Sequence, residues 1–455
     1  MITDLSGVES FLSQGQDFAK DLSLLKQKRN YSLGSISAFL DMIGHPEKDM
    51  IVFHVAGSKG KGTISYILAA LLESRFGSCG LFLSPFVYDF RERFTRPFFF
   101  FSDKSYIDAA NELQEISFLH ECEFEALSVF EKYCVYSLVL FRREGLKYAI
   151  FEVGLGGRYD ATNALQTNYQ FFATIEKEHV QILGSTLADI AREKSKIIKS
   201  CCTCFALNNN KIVDDVFRCE AESKSASIFF LDDMVRAFAS HPTENGSKVF
   251  LTEADGDNFS YEIPLSGKAF VKDSLLAVSA LEKLGMLGDD DSHRDEILKS
   301  LMRLRIPGRF ERFERSGIHF VLDGAHTCKS IGNVSVAFSS IFSASKRILV
   351  FGCASDKNVL SMAKTLSSHF DVVIIQKPGD YKQSDINRIY DVFQILRNGQ
   401  EHGFELFKCE DISETEDILH ENARQGDACL VTGSFYLVDL FYKRFFQALA
   451  KTQCP

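Results

Sequence analysis

Tryptophan is absent from this 455-residue chain, while phenylalanine is abundant at 42 residues. That imbalance reads as aromatic core packing and carries no functional content. No long run of Lys or Arg occurs, and the net charge is −10. Nucleic-acid binders usually present a basic face, so no nucleic acid is expected as a partner. A phosphate ligand then needs a local cationic site. No apolar stretch approaches the ~18–20 residues of a membrane span, so no membrane partner is expected either. Residues 1–16 mix Asp, Glu and Ser with scattered apolar residues and lack the continuous apolar stretch of a secretory leader. Repeats and low-complexity tracts are also missing. Of the 12 cysteines only Cys201, Cys202 and Cys204 cluster, and no His at zinc-ligand spacing accompanies them. Their apolar setting reads better as a buried strand. Free thiols without a leader fit a reducing, cytoplasmic setting.

The length implies two or three domains. With 45% hydrophobic and 25% charged residues, the chain has the balance of a soluble globular protein with a sizeable core. Short apolar runs at 51–56, 81–83, 148–153, 171–175 and 204–207 read as buried strands. Amphipathic segments separate them. The clearest, 63–74, places Ile64, Ile67, Leu68, Leu71 and Leu72 on one face, with Gly77 just past its end. This alternation predicts an α/β fold with a mostly parallel sheet covered by helices. The pattern restarts after Pro307-Gly308, with strands expected at 319–322, 347–351, 372–375 and 428–431. A helical segment, 274–284, and a polar stretch, 288–294, precede it. The domain boundary is placed near residue 303, giving domains 1–303 and 304–455.

The segment Gly57-Ser58-Lys59-Gly60-Lys61-Gly62-Thr63 follows a strand and opens a helix. Glycines let main-chain N–H groups curl around phosphate oxygens without Cβ clashes, and a helix N-terminus adds a favourable dipole. Lys61 can reach terminal phosphates, and Thr63 can offer a hydroxyl to Mg²⁺. The spacing is Gly-x-x-Gly-Lys-Gly-Thr, not the commoner Gly-x-x-x-x-Gly-Lys-Ser/Thr.

Glu152 ends a strand, where ligands of parallel sheets gather, and an acid there can hold Mg²⁺ against phosphate. His179 follows another strand at the same edge. Thr186 and Asp189 form a capping-box pattern. The helix they start places Lys194 on an apolar stripe, while Lys196 and Lys199 lie off it. Either the Lys194 stem packs while its ammonium reaches water, or the lysine is held inside a site, charged or modified. The residue pattern leaves both open. In the second unit, Arg309 suits polydentate phosphate contact. Asp323 could take a ribose hydroxyl and His326 a phosphate.

Taken together, these segments resemble the folylpolyglutamate synthase/dihydrofolate synthase family of Mur-type ligases. The match runs in order from about Tyr31 to Phe441. It includes residues 54–63, Ser84-Pro85, Arg91-Glu92-Arg93-Phe94, 152–163, His179 with Leu183-Gly184, 190–194, Pro307-Gly308-Arg309, 323–326, Phe351-Gly352 with Asp356-Lys357, and 431–434. The Glu-Val-Gly-Leu-Gly-Gly-Arg-x-Asp-Ala-Thr-Asn segment is highly specific.

The resemblance implies a P-loop, Mur-ligase-like ATP-binding domain and a smaller C-terminal Rossmann-like α/β domain. It implies ATP as substrate and Mg²⁺ held by Ser84, Glu152 and His179, with a second cation possible. It implies a carbamylated Lys194 and pterin-binding positions at Asp160, Ala161 and Ser128 to Glu131. Arg309, Asp323 and Asp273 take its nucleotide positions, and Lys61, Lys194, His179 and His326 its catalytic ones. The activity implied is ATP-dependent addition of L-glutamate to a pterin or folate acid by a monomer. Another Mur-type amide ligase, or a nucleotide-binding protein without ligase activity, are the alternatives. Departures from the family pattern are Ser58-Lys59 for Thr-Asn, Phe86 for His, Glu178 for Asp and Thr327 for Asn. A Gly-Lys-Ala-Phe270…Asp273 segment also stands where His-Gln and then Asn are usual.

Overall fold

Ile51–Ala56 forms β1, the centre of a 7-stranded sheet ordered β3-β2-β4-β1-β5-β6-β7. Its neighbours in chain order are β2 (Cys79–Phe82), β3 (Phe94–Thr95), β4 (Tyr148–Glu152), β5 (Tyr169–Phe172), β6 (Thr203–Ala206) and β7 (Ser227–Phe230). Apart from β3, which runs antiparallel against β2, the pairs are parallel. These strands read as near-continuous apolar runs because both faces are covered. β1 lies between β4 and β5, where strand order reverses. The loops after these three strands therefore leave the same sheet edge, the place where ligands of parallel sheets bind.

The computed structural model describes residues 1–16, 32–243, 245–343, 345–379, 384–399 and 403–447. Tyr31, where the family resemblance begins, lies outside them. The chain divides into two compact units. The first comprises Met1–Ser240, Lys248–Ile263 and Lys272–Leu304; the second comprises His241–Ser247, Pro264–Val271 and the chain from Arg305 onward.

In the first unit the helix Lys61–Phe76 departs from the expected one-sided stripe. Tyr66, Ala69 and Ala70 are buried along with Ile64, Ile67, Leu68, Leu71 and Leu72. The cause is a second covering layer. The helix packs on β1, β2 and β4 and also on the helix Asp291–Lys299 and the turn Ser300–Arg303. Gly77, at φ +63, ends it by accepting the left-handed cap without a Cβ penalty. Phenylalanine fills the interior: Phe39, Phe53, Phe82, Phe94, Phe141, Phe151, Phe171 and Phe172 are fully buried.

A three-stranded sheet, β8 (Val235–Thr243), β9 (Gly246–Glu253) and β10 (Asn258–Ile263), has no counterpart in the sequence reading. β8 is exposed along nearly its whole length, so no apolar run announces it. The segment expected as a helix at 274–284 is the end of a longer one, Lys268–Lys283.

The second unit holds a 6-stranded sheet ordered β11-β12-β16-β13-β14-β15. Its strands are β11 (Glu311–Arg315), β12 (Ile318–Asp323), β13 (Arg347–Phe351), β14 (Val372–Gln376), β15 (Glu405–Cys409) and β16 (Ala428–Thr432). β11 runs antiparallel to β12 and the other pairs are parallel. Among the described residues no helix is long and apolar enough to cross a membrane.

Candidate active site

β1 ends at Ala56, and the chain turns through residues 57–60 into the helix Lys61–Phe76. Gly60 sits at φ +92, and a Cβ there would lie 2.6 Å from Asp273 Oδ1. A Cβ at Gly57 would lie 2.6 Å from the Cβ of Ala173. The loop is thus held close to its neighbours at two points that favour glycine. The N–H groups of Ser58 and Lys59 both donate to Thr174 O, at 2.8 and 3.1 Å, and the Ser58 hydroxyl donates to Glu176 O at 3.0 Å. These groups pin the loop to the chain after β5. The first helical bond runs from Ile64 N–H to Gly60 O at 2.9 Å. The N–H groups of Lys61, Gly62 and Thr63 therefore precede the helical ladder and form a rim of N–H donors at the helix start, the arrangement that suits an anion. The Lys61 ammonium folds over the loop and donates to Gly57 O at 3.1 Å.

Glu152 closes β4 beside this rim. Its Oε2 would lie 3.7 Å from a Cβ on Gly62, and it accepts the Ser84 N–H at 3.1 Å. Two of the three expected metal ligands, Ser84 and Glu152, are therefore adjacent. Among the described residues no three His, Cys, Asp or Glu side chains converge into a cation cage. That donor set still fits Mg²⁺, which keeps waters and phosphate oxygens as most of its ligands and is held by one or two carboxylates. His179 follows β5 in a left-handed conformation, φ 45, as the N-cap of the short helix Val180–Leu183.

Lys194 lies inside. The expected capping box starts its helix, Leu187–Ser195, with Thr186 accepting from Asp189 N–H. Lys194 is 1% exposed, and its ammonium donates to Gly57 O at 2.8 Å and to Glu178 Oε1 at 3.0 Å. Burial lowers its pKa to about 8, against the raising pull of Glu178. Burial would raise the Glu178 carboxyl, but the ammonium groups of Lys194, Lys61 and Lys59 outweigh it and hold the carboxyl below its usual range. Sequence reasoning noted Glu178 only as a departure and missed this pairing. Lys199, placed off the stripe, is also drawn in. It donates to Asn163 O at 2.6 Å, and burial takes its pKa to about 8.

The loop after β4 is organised by Asp160. Its Oδ2 accepts the Leu155 N–H at 2.8 Å, and its Oδ1 accepts the Thr162 N–H at 3.1 Å and the Thr162 hydroxyl at 2.5 Å. Burial raises its pKa and these hydrogen bonds oppose the rise. Ala161 follows it and is buried. Ser128 and Glu131 form a buried capping box on the helix Val129–Arg143, with Glu131 Oε2 accepting from the Ser128 N–H at 2.8 Å and hydroxyl at 2.6 Å. Helix capping thus gives both residues a local structural role.

In the second unit, Asp323 ends β12 and accepts N–H bonds from Phe310 and Ala325, each at 2.8 Å. Burial raises its pKa to about 6, opposed by Arg309. The Arg309 guanidinium stacks 4.2 Å over the Phe435 ring. His326 Nδ1 lies 2.9 Å from Gly324 O and so carries the proton on that side. A Cβ on Gly324 would fall 2.1 Å from Phe435. Arg309 and His326 thus both lie against the Phe435 ring, with Asp323 close to Arg309.

Two family models match this chain: residues 55–281 match the Mur ligase middle domain, and residues 308–435 match the Mur ligase glutamate ligase domain. The chain belongs to the Mur ligase family. This Mur ligase is 27% identical over 417 residues to the dihydrofolate synthase/folylpolyglutamate synthase of Bacillus subtilis, covering 90% of this chain and 94% of that protein. It is 25% identical over 356 residues to the folylpolyglutamate synthase of Lacticaseibacillus casei, covering 76% and 81%. Its fold matches that of the folylpolyglutamate synthase from Thermotoga maritima with a TM-score of 0.78 at 24% identity, covering 95% of this chain and 97% of that one. E. coli FolC in complex with DHPP and ADP gives a TM-score of 0.78 at 20% identity, covering 99% of both chains.

Proposed function

We propose that this Mur ligase uses ATP to join L-glutamate to dihydropteroate, to reduced folates already carrying glutamate, or to both. The observation that carries the reading is the gathering of the 57–63 loop, Ser84, Glu152 and Lys194 in the first unit of a chain that matches both Mur ligase models. A carboxylate is a poor acylating agent. Its oxygen attacks the γ-phosphorus of ATP, the bond to ADP breaks, and an acyl phosphate results. The amine of L-glutamate then attacks the acyl carbon, an amide forms and phosphate leaves. Such transfers depend mainly on positioning and charge neutralisation.

Lys61 and the N–H rim of residues 61–63 are assigned to the phosphates, with the rest of the 57–63 loop as their cradle. Ser84, Glu152 and His179 would hold Mg²⁺, which supplies charge neutralisation at the phosphates. Asp273, against Gly60, is assigned to the nucleotide in the first unit. Arg309, Asp323 and His326 are assigned to nucleotide and phosphate within the second. The acid substrate is assigned to the 154–163 loop, with Asp160 and Ala161 at its centre, and to the Ser128–Glu131 corner.

Carbamylation of Lys194 belongs to the same proposal. A lysine amine must shed its proton before its nitrogen can bond to the carbon of CO₂, and burial, which lowers the Lys194 pKa to about 8, brings that within reach. The resulting anion would suit a second cation. The free cysteines among the described residues support a reducing, cytoplasmic setting, and a monomer without nucleic-acid or membrane partners completes the reading. ADP release that requires Mg²⁺-ATP, L-glutamate and a pterin acid together tests the function. ADP release independent of both co-substrates would overturn it.

A further inference from the structure

His54 lies on β1, fully buried, three residues before the phosphate loop. Its Nε2 is 2.7 Å from the hydroxyl oxygen of Thr162, itself fully buried. That hydroxyl is in turn 2.5 Å from Asp160 Oδ1. The protons in this chain can be assigned by counting. A carboxylate only accepts, and threonine has one proton to give. The Thr162 proton therefore points to Asp160, and the Thr162 oxygen accepts from His54. His54 must carry its proton on Nε2. Its Nδ1 is buried and has no hydrogen-bond partner among the described residues, which fits a bare nitrogen. Burial also holds the ring neutral by lowering its pKa.

We infer that His54 is a positioning residue for the acid-substrate loop, acting through the Thr162 hydroxyl on the Asp160 carboxylate. This rests on the reading that residues 154–163 receive the acid. The Asp160 carboxylate also accepts the N–H groups of Leu155 and Thr162, so its orientation sets the course of the whole loop. Thr162 alone could rotate its hydroxyl; with His54 donating to its oxygen, the proton has one direction left. The relay joins the strand that delivers the phosphate loop to the loop that would hold the acid. It thereby ties the position of the pterin acid to that of the phosphates through one rigid element. Misplacement of such supports by about 1 Å can cost a hundredfold in rate.

The test compares His54→Leu, His54→Gln and Thr162→Val in the full chain, with dihydropteroate and tetrahydrofolate as the acids. Glutamine can place an amide N–H where Nε2–H stands. His54→Leu and Thr162→Val should each raise the KM for the acid about tenfold, the scale of one lost buried hydrogen bond. The KM for ATP should stay within about twofold, and His54→Gln should recover most of the loss. The two losses should not add, because they break one chain. Thr162→Val keeps the shape of the site, so it serves where His54→Leu fails to fold. Equal shifts in both KM values, no shift in either, or a His54→Gln variant as impaired as His54→Leu would overturn the inference. Imidazole ¹⁵N signals separate it from the functional reading. A His54 ring protonated on Nδ1 overturns the relay, whereas a wild-type chain inactive on both acids overturns the proposed function.

Discussion

In the proposed function, Lys61 and Glu152 take opposite sides of one charge problem. Lys61 lies on the 57–63 loop, assigned to the phosphates, and Glu152 lies beside the same helix start, assigned to the cation. Lys61→Ala and Glu152→Ala are each expected to cut turnover by roughly 10²–10³-fold or more, the usual effect of losing one charge-stabilising group. Circular dichroism melts should remain close to wild type. Well-folded variants with near-normal rates would refute this assignment. Asp323 gives a pH signature. In the unfolded chain it releases its proton near 3.8, and in the folded chain near 6. Between those values the folded state alone holds the proton. Its contribution to stability is therefore full below 3.8 and is lost as pH rises through about 6. Asp323→Asn should remove that decline, on the order of 2–3 kcal/mol, while costing one of the N–H bonds from Phe310 and Ala325. Urea unfolding across this pH range reads the slope, and an unchanged slope would contradict the account.

Gly60 carries the corresponding argument at the level of the element. Its φ of +92 strains any other side chain, and a Cβ there would meet the Asp273 carboxylate at 2.6 Å. Gly60→Ala should cost roughly 1–3 kcal/mol through strain and overpacking and weaken nucleotide binding, measured by urea unfolding and by titration with ADP. A variant equal to wild type in both would show that the loop is not held as described. Elements with a strong local code were legible in the sequence. β1 and β13 are apolar runs broken only by His54 and by Arg347 at the start of β13, and the Thr186/Asp189 capping box sits where its spacing placed it. Other features depend on what packs against them. The helix Lys61–Phe76 looked one-sided because its Ala and Ser positions hide the second covering layer. β8 escaped notice because its side chains face water. The Glu178–Lys194 pair joins a loop to a helix, and the His54–Thr162 contact joins a strand to a distant turn. No periodicity encodes such contacts.

For the whole molecule, the parallel sheet of each unit and the family were readable because the Gly-rich loop, the Glu152 segment and the Asp323 segment each end a strand, in order. The division near residue 303 could not foresee that 241–247 and 264–271 group with the later unit, since short excursions leave no compositional mark. The central claim is glutamate ligation on a pterin acid. Its most direct test is the mass of the acid after incubation of the purified chain with Mg²⁺-ATP, L-glutamate and, separately, dihydropteroate or tetrahydrofolate. The account predicts that at least one acid gains the mass of one glutamate less one water for each ADP released. Nucleotide binding with neither ADP release nor a mass gain on either acid would contradict it.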